Sequence, residues 1–98
     1  MTINKTQNGD EVIFALEGKL DTTTAPDLDA ALKESFSGTK KMVLDFANLQ
    51  FISSAGLRVI LNAQKVMNEQ GDLLIKNAGP QILEVFEITG FSDFLKIE

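Results

Sequence analysis

The spacing of apolar residues changes several times along this chain, and each change marks an element. Met1 to Gln7 is polar around a single strongly apolar residue, Ile3. Asn8-Gly9 follows, and then the run Glu11 to Glu17, apolar at Val12, Ile13, Phe14, Ala15 and Leu16. Asn and Gly both tolerate positive φ, so the pair predicts a hairpin of two antiparallel strands, the weak first one at a sheet edge. The unbroken apolar run predicts a second strand buried on much of both faces. Gly18 to Thr24 reads as a loop. Thr23 or Thr24 is placed to cap the next helix, and Pro26 suits its first turn. In that helix Leu28, Ala31, Leu32 and Ser35 recur at helical spacing with Phe36 beside them, while Asp27, Asp29, Lys33 and Glu34 fall mostly elsewhere. That is an amphipathic helix with one core-facing stripe, ended near Gly38.

Met42 to Phe46 is a short apolar run and predicts a central, parallel strand. Phe51 to Leu61, FISSAGLRVIL, then passes from the end of an apolar stretch through two serines into a second helix. That helix is expected to reach about Gln70, with Gly71 as its C-terminal cap. Leu73 to Lys76 is a further strand. Asn77 to Pro80 opens a third helix carrying Ile82, Leu83 and Phe86, stopped by Gly90, and Phe91 to Glu98 ends in a short strand. The order ββαβαβαβ implies right-handed crossovers and a mixed, mostly parallel sheet with an N-terminal β-hairpin. At 98 residues this fits one α/β domain of two layers, residues 1–98, with the helices mainly on one face.

The second helix is two-sided. At about 100° per residue, Gly56, Val59, Ile60, Ala63, Val66, Met67 and Gln70 cluster opposite Ser54. Arg58, Asn62, Lys65 and Glu69 fall on the side of Ser54. Leu61 lies within about 20° of Ser54 and Leu57 about 60° from it, so a hydroxyl, an arginine and two leucines are expected on one outward surface. The leucines either pack on a neighbouring loop or the first helix, or form a docking patch. Ser53 is the better N-cap, with Ser54 at the first helical position and its side chain free. Gly56 on the core-facing side of the first turn predicts close backbone packing.

Composition narrows the chemistry. The chain holds no His and no Cys, which removes thiol chemistry, the usual zinc ligands and the commonest general base. No phosphate-binding glycine motif is present. We therefore expect no enzyme, no metal and no cofactor. A formal charge of −5 without a basic cluster argues against nucleic acid and anionic membrane as partners. The N-terminus has no apolar signal region and no uncharged run approaches a membrane span, so a cytoplasmic location is expected. Asp45 ends the central strand, near Ser54 if the connection folds back, and either accepts backbone N–H groups or contacts a partner.

Over almost its whole length the chain resembles a stand-alone STAS domain of the anti-sigma factor antagonist family. The resemblance rests on EGKLD (Glu17 to Asp21), VLDFANLQFISSAGLRVIL (Val43 to Leu61), the Gly71-Asp72-Leu73-Leu74 passage and VFEITGF (Val85 to Phe91). Aligned on Gly56 and Leu57, it implies that Ser54 is the phosphoacceptor, with Ser53 as the alternative. Ser53 stands where the family usually has aspartate. The implied function is partner switching. The unphosphorylated form binds an anti-sigma factor of serine-kinase type, phosphorylation releases it, and a PP2C-type phosphatase restores binding. The implied partner-binding residues are Asp21 and Thr22 in the loop before the first helix, and Ser53, Ser54, Gly56, Leu57, Arg58 and Leu61. The alternative is a STAS scaffold or ligand-sensing module in another bacterial signalling assembly, without phosphorylation.

Overall fold

The computed structural model describes residues 1–98 as one five-stranded sheet with three helices. The elements run β1 (Thr2–Asn8), β2 (Glu11–Leu20), α1 (Ala25–Ser35), β3 (Lys41–Ile52), α2 (Ser54–Asn68), β4 (Asp72–Lys76), α3 (Pro80–Thr89), a 3-10 turn (Phe91–Asp93) and β5 (Lys96–Ile97). Strand order equals chain order, with β1 antiparallel to β2 and every later pair parallel. Each right-handed crossover steps the same way across the sheet, so all three helices are delivered to one face. A single buried cluster confirms it. It joins Val12, Phe14, Leu16, Met42, Leu44, Phe46, Leu73 and Ile75 from alternate strand positions to Leu28, Leu32, Ile60, Ala63, Met67, Ile82 and Phe86 from the helices.

One consequence corrects the expectation for β2. Its other face is not deeply buried: Ile13 and Ala15 are half-exposed, because no helix covers that side. There Ile13, Val43 and Leu74 form a cross-strand row. Next to it run the ion pairs Lys41–Glu11 at 3.4 Å and Lys96–Asp72.

The hairpin turn is also one residue further on than its Asn-Gly signal. Asn8 pairs with Glu11, leaving Gly9-Asp10 as the turn. Only Gly9 has positive φ, at 61°, which is the pattern of a turn with glycine first.

β2 and β3 are both longer than their apolar runs. Gly18 to Leu20 is strand rather than loop, paired with β3 as far as Leu20↔Ile52. β3 carries two extra residues against β2, one between Asp45 and Asn48 and Gln50 between Leu49 and Phe51. Such bulges break the two-residue alternation of a strand. Phe46, Leu49 and Ile52 are consequently buried at intervals of three, a spacing that does not read as a strand.

At the opposite end of the sheet the backbone is locked tightly. Lys40 and Lys41 both donate N–H to the Asp10 carbonyl, at 2.8 and 3.2 Å, and Asp72 donates to the Lys40 carbonyl at 2.9 Å. The Gln70 amide donates to the Phe36 and Thr39 carbonyls at 2.5 and 2.7 Å, tying the end of α2 to the end of α1. Gly71 is not the left-handed cap expected of it, since its φ is not positive and α2 closes at Glu69 in right-handed geometry. It is glycine because a Cβ there would lie 1.9 Å from the Lys40 carbonyl oxygen. That neighbour is backbone held by hydrogen bonds and cannot retreat. Gly71→Ala is therefore expected to destabilise by about 2–3 kcal/mol, lowering Tm by roughly 10–20 °C for a domain of this size. A thermal melt that leaves Tm unchanged or raises it would restore Gly71 to a mere helix terminator.

Candidate functional site

The upper rim of the sheet is where the chain's sequence signals converge, and the strand tails bring them together. The Leu20 carbonyl accepts the Ser53 amide at 2.9 Å, which sets Asp21 and Thr22 beside the start of α2. The first turn of α2 lies directly on those tails. A Cβ at Gly56 would come within 2.6 Å of Leu20 Cγ and 3.0 Å of Ile52 Cγ1, so only glycine lets the helix approach this closely.

Ser53 is the cap. Its backbone is extended (φ −99°, ψ 175°), its Oγ accepts from the Gly56 amide at 3.4 Å, and its carbonyl accepts from Leu57 at 3.0 Å. Ser54 is the first helical residue and is exposed, with its hydroxyl free of any protein partner. No acidic residue stands in the first turn to offset the helix dipole.

The Asp21 carboxylate and the Thr24 hydroxyl together organise the preceding loop. Its Oδ1 accepts the amides of Thr23 at 3.0 Å and Thr24 at 3.1 Å. Thr24 occupies the N-cap position of α1 without a side-chain cap bond. Its hydroxyl instead donates to the Lys19 carbonyl at 2.8 Å and accepts the Asp21 amide at 2.9 Å. The Thr24 amide, followed by that of Thr23, holds the Asp21 carboxyl below its ordinary 3.8, against a partial opposing effect of burial. Asp21 thus has a structural duty on one oxygen at the rim of the site.

The remaining candidates separate. Thr22, Ser54 and Arg58 are exposed and Leu61 is half-buried. Leu57 is 7% exposed and belongs to the core cluster, which corrects its placement on the outward surface. The buried arc of α2 is wider than one stripe and runs through Gly56, Leu57, Ile60, Ala63, Gln64 and Met67. Gly56 is likewise buried, so both shape the site from below rather than offer surface to a partner. Asp45 lies apart, seven residues before the end of β3, where its Oδ1 accepts from the Ala47 amide at 3.0 Å and the Asn77 side chain at 2.9 Å.

Two features were not singled out from the sequence. Phe51, opposite Lys19 on the strand tail, is 48% exposed just before the two serines. Its signal was its place outside the Phe46, Leu49, Ile52 series. An open groove of about 410 Å³ also runs between α1 and α2, lined by Asp29, Lys33, Ala55, Arg58, Val59 and Asn62. Lys33 is paired to Asp29 at 2.9 Å. No group of His, Cys, Asp or Glu is arranged to hold a metal, and no helix is long and apolar enough to cross a membrane.

The fold is a small two-layer α/β domain with an exposed serine at the start of a helix on its rim. The STAS domain profile matches residues 2–98, and the chain belongs to the STAS family of anti-sigma factor antagonists. It is 40% identical over 82 residues to the BtrV protein of Bordetella bronchiseptica, which carries the antagonist designation provisionally, covering 82% of this chain and 71% of that one. It is 30% identical over 97 residues to the anti-sigma-B factor antagonist of Listeria monocytogenes, covering 96% and 84%. Among solved structures, SpoIIAA of Bacillus shares the fold. Its unphosphorylated form has a TM-score of 0.81 at 17% identity, covering 99% of this chain and 87% of that one. Its phosphorylated form has a TM-score of 0.79 at 18% identity, covering 99% and 91%.

Two outcomes follow from the geometry. Gly56→Ala gains about 1 kcal/mol in helix propensity yet is expected to destabilise, because overpacking costs about 1–3 kcal/mol. Measured by denaturant unfolding in a Leu20→Ala background, the same change should cost clearly less; equal costs would mean that Leu20 is not the obstacle. Asp21, with its lowered folded pKa, contributes stability above the ordinary carboxylate range and loses it as pH falls through the folded value. Between pH 6 and pH 2.5 the wild type should lose more Tm than Asp21→Asn, and parallel losses would remove Asp21 from the account.

Proposed function

We propose that this protein works by partner switching at Ser54: unphosphorylated it binds an anti-sigma factor of serine-kinase type, and phosphorylation of Ser54 breaks the complex. The observation that carries the reading is the division of labour between the two serines. Ser53 is occupied as the cap, while Ser54 stands exposed one residue on, with nothing in the fold depending on its hydroxyl. The families of its relatives and the existence of SpoIIAA in both phosphorylation forms support the same reading.

The chemistry is supplied by the partner. The Ser54 oxygen attacks the γ-phosphorus of the kinase's ATP, its proton passes to a base on the kinase, and ADP leaves. A PP2C-type phosphatase then returns the serine by hydrolysis, water entering and inorganic phosphate departing. This chain acts as substrate and ligand, not as an enzyme, in the compartment where sigma factors work. The added group carries about −1.5 to −2 charges at pH 7. A helix N-terminus accommodates such an anion. A docking surface formed around Ser54 must desolvate it, which opposes binding. Asp21 and Thr22 flank the same surface and would contact the partner from the loop before α1.

A second reading has one observation in its favour. Ser53 replaces the acidic residue usual beside the phosphoacceptor, which fits a STAS scaffold or ligand-sensing module lacking the phosphate switch. Incubation with the cognate kinase and ATP distinguishes the two by mass. The switch predicts a gain of about 80 Da for one phosphate, retained in Ser53→Ala and lost in Ser54→Ala. It also predicts that Ser54→Asp no longer binds the kinase while its circular dichroism matches the wild type. Undiminished binding by Ser54→Asp would sink the proposal.

A further inference from the structure

We infer that Arg58 is an internal clamp for the phosphate on Ser54, so that modification silences one surface cation as well as adding an anion. The inference rests on the reading of Ser54 as phosphoacceptor. Arg58 is the chain's sole arginine, in a sequence of formal charge −5. The four ion pairs of the structure, Lys33–Asp29, Lys41–Glu11, Lys76–Glu98 and Lys96–Asp72, leave it unpaired. It is exposed on the outward side of α2 and lines the groove against α1, where the Asp29 carboxylate is already engaged by Lys33. Arg58 thus offers a free guanidinium in an acidic protein, one helical turn on from the serine.

The spacing suits the clamp. Ser54 and Arg58 are four residues apart on one helix, which brings their Cβ atoms to about 6 Å. Both ends are flexible enough to close that gap, the phosphate extending from Oγ and the arginine along three methylenes. Guanidinium and phosphate meet in a bidentate fork of charge-assisted hydrogen bonds. The order also agrees with the helix dipole, the anion preceding the cation toward the C-terminus. Lys33 across the groove adds a second positive charge, reduced by its bond to Asp29.

The functional effect is a change of partner for Arg58. Before phosphorylation its guanidinium is free on the docking surface and suits a carboxylate of the bound protein. Afterwards it is occupied by its own chain's phosphate. The bound protein then loses an ion pair at the moment it meets new negative charge, so one covalent event acts twice.

Phosphoserine introduced genetically at position 54 tests this without any kinase. The probe is the 31P resonance of the phosphate, titrated through its second ionisation, ordinarily near pH 6. With Arg58 present the midpoint is expected lower than in Arg58→Gln by roughly 0.2–0.4 unit, with Arg58→Lys in between. Superposable titrations for Arg58 and Arg58→Gln would overturn the clamp. So would a phosphoserine protein that fails to fold, because a clamped phosphate must be tolerated by its own helix. Failure of the clamp and failure of the switch are separable. A shifted titration with no phosphorylation by kinase leaves the clamp and removes the switch. A kinase-driven mass gain with superposable titrations does the reverse.

Discussion

The site depends on one contact, the seating of the first turn of α2 on the tails of β2 and β3. Leu20 and Ile52 fill the space beneath Gly56, and the Leu20 carbonyl takes the Ser53 amide. If the strands ended where their apolar runs end, the loop bearing Asp21 and the helix bearing Ser54 would have no common support. The bulges keep β3 paired with β2 as far as Ile52, which extends the core beneath α2. Glycine at position 56 then lets the helix settle on that support without a side chain between them. Placement of the candidate surface is thus a packing result, reached through buried residues that no partner would touch.

The two ends of the sheet serve different needs. At one end the backbone is cross-bonded, with the Lys40 carbonyl taking the Asp72 amide while the Gly71 backbone lies against it. At the other end an exposed serine is left without a protein partner, and the adjoining loop is organised by the Asp21 carboxylate and the Thr24 hydroxyl.

Electrostatics explains how so small a change can matter. The chain is acidic, the first turn of α2 lacks an acid, and its one arginine is unpaired nearby. A phosphate arriving there meets a field that is locally favourable within a chain that is otherwise repulsive. Under the proposed switch, the fold would tolerate the phosphate while a partner surface fitted to a neutral serine would not.

Much of this protein was legible from its sequence. Element order, the edge hairpin, the one-sided helices and the assignment of Ser53 as cap and Ser54 as free residue all follow from local periodicity and capping chemistry, which act over a few residues. The STAS resemblance was carried mainly by Val43 to Leu61, with Glu17 to Asp21, Gly71 to Leu74 and Val85 to Phe91 in the same order. Tertiary structure alone decided the rest. The tails of β2 and β3 were hidden because bulges replace alternation with intervals of three. Gly71 read as a helix cap, since nothing local reveals that the Lys40 carbonyl lies against it. Leu57 read as surface because a helical wheel knows only its own axis. How far burial wraps around a helix is set by the sheet beneath and the helices beside it, and there it reaches Leu57 and stops short of Ser54.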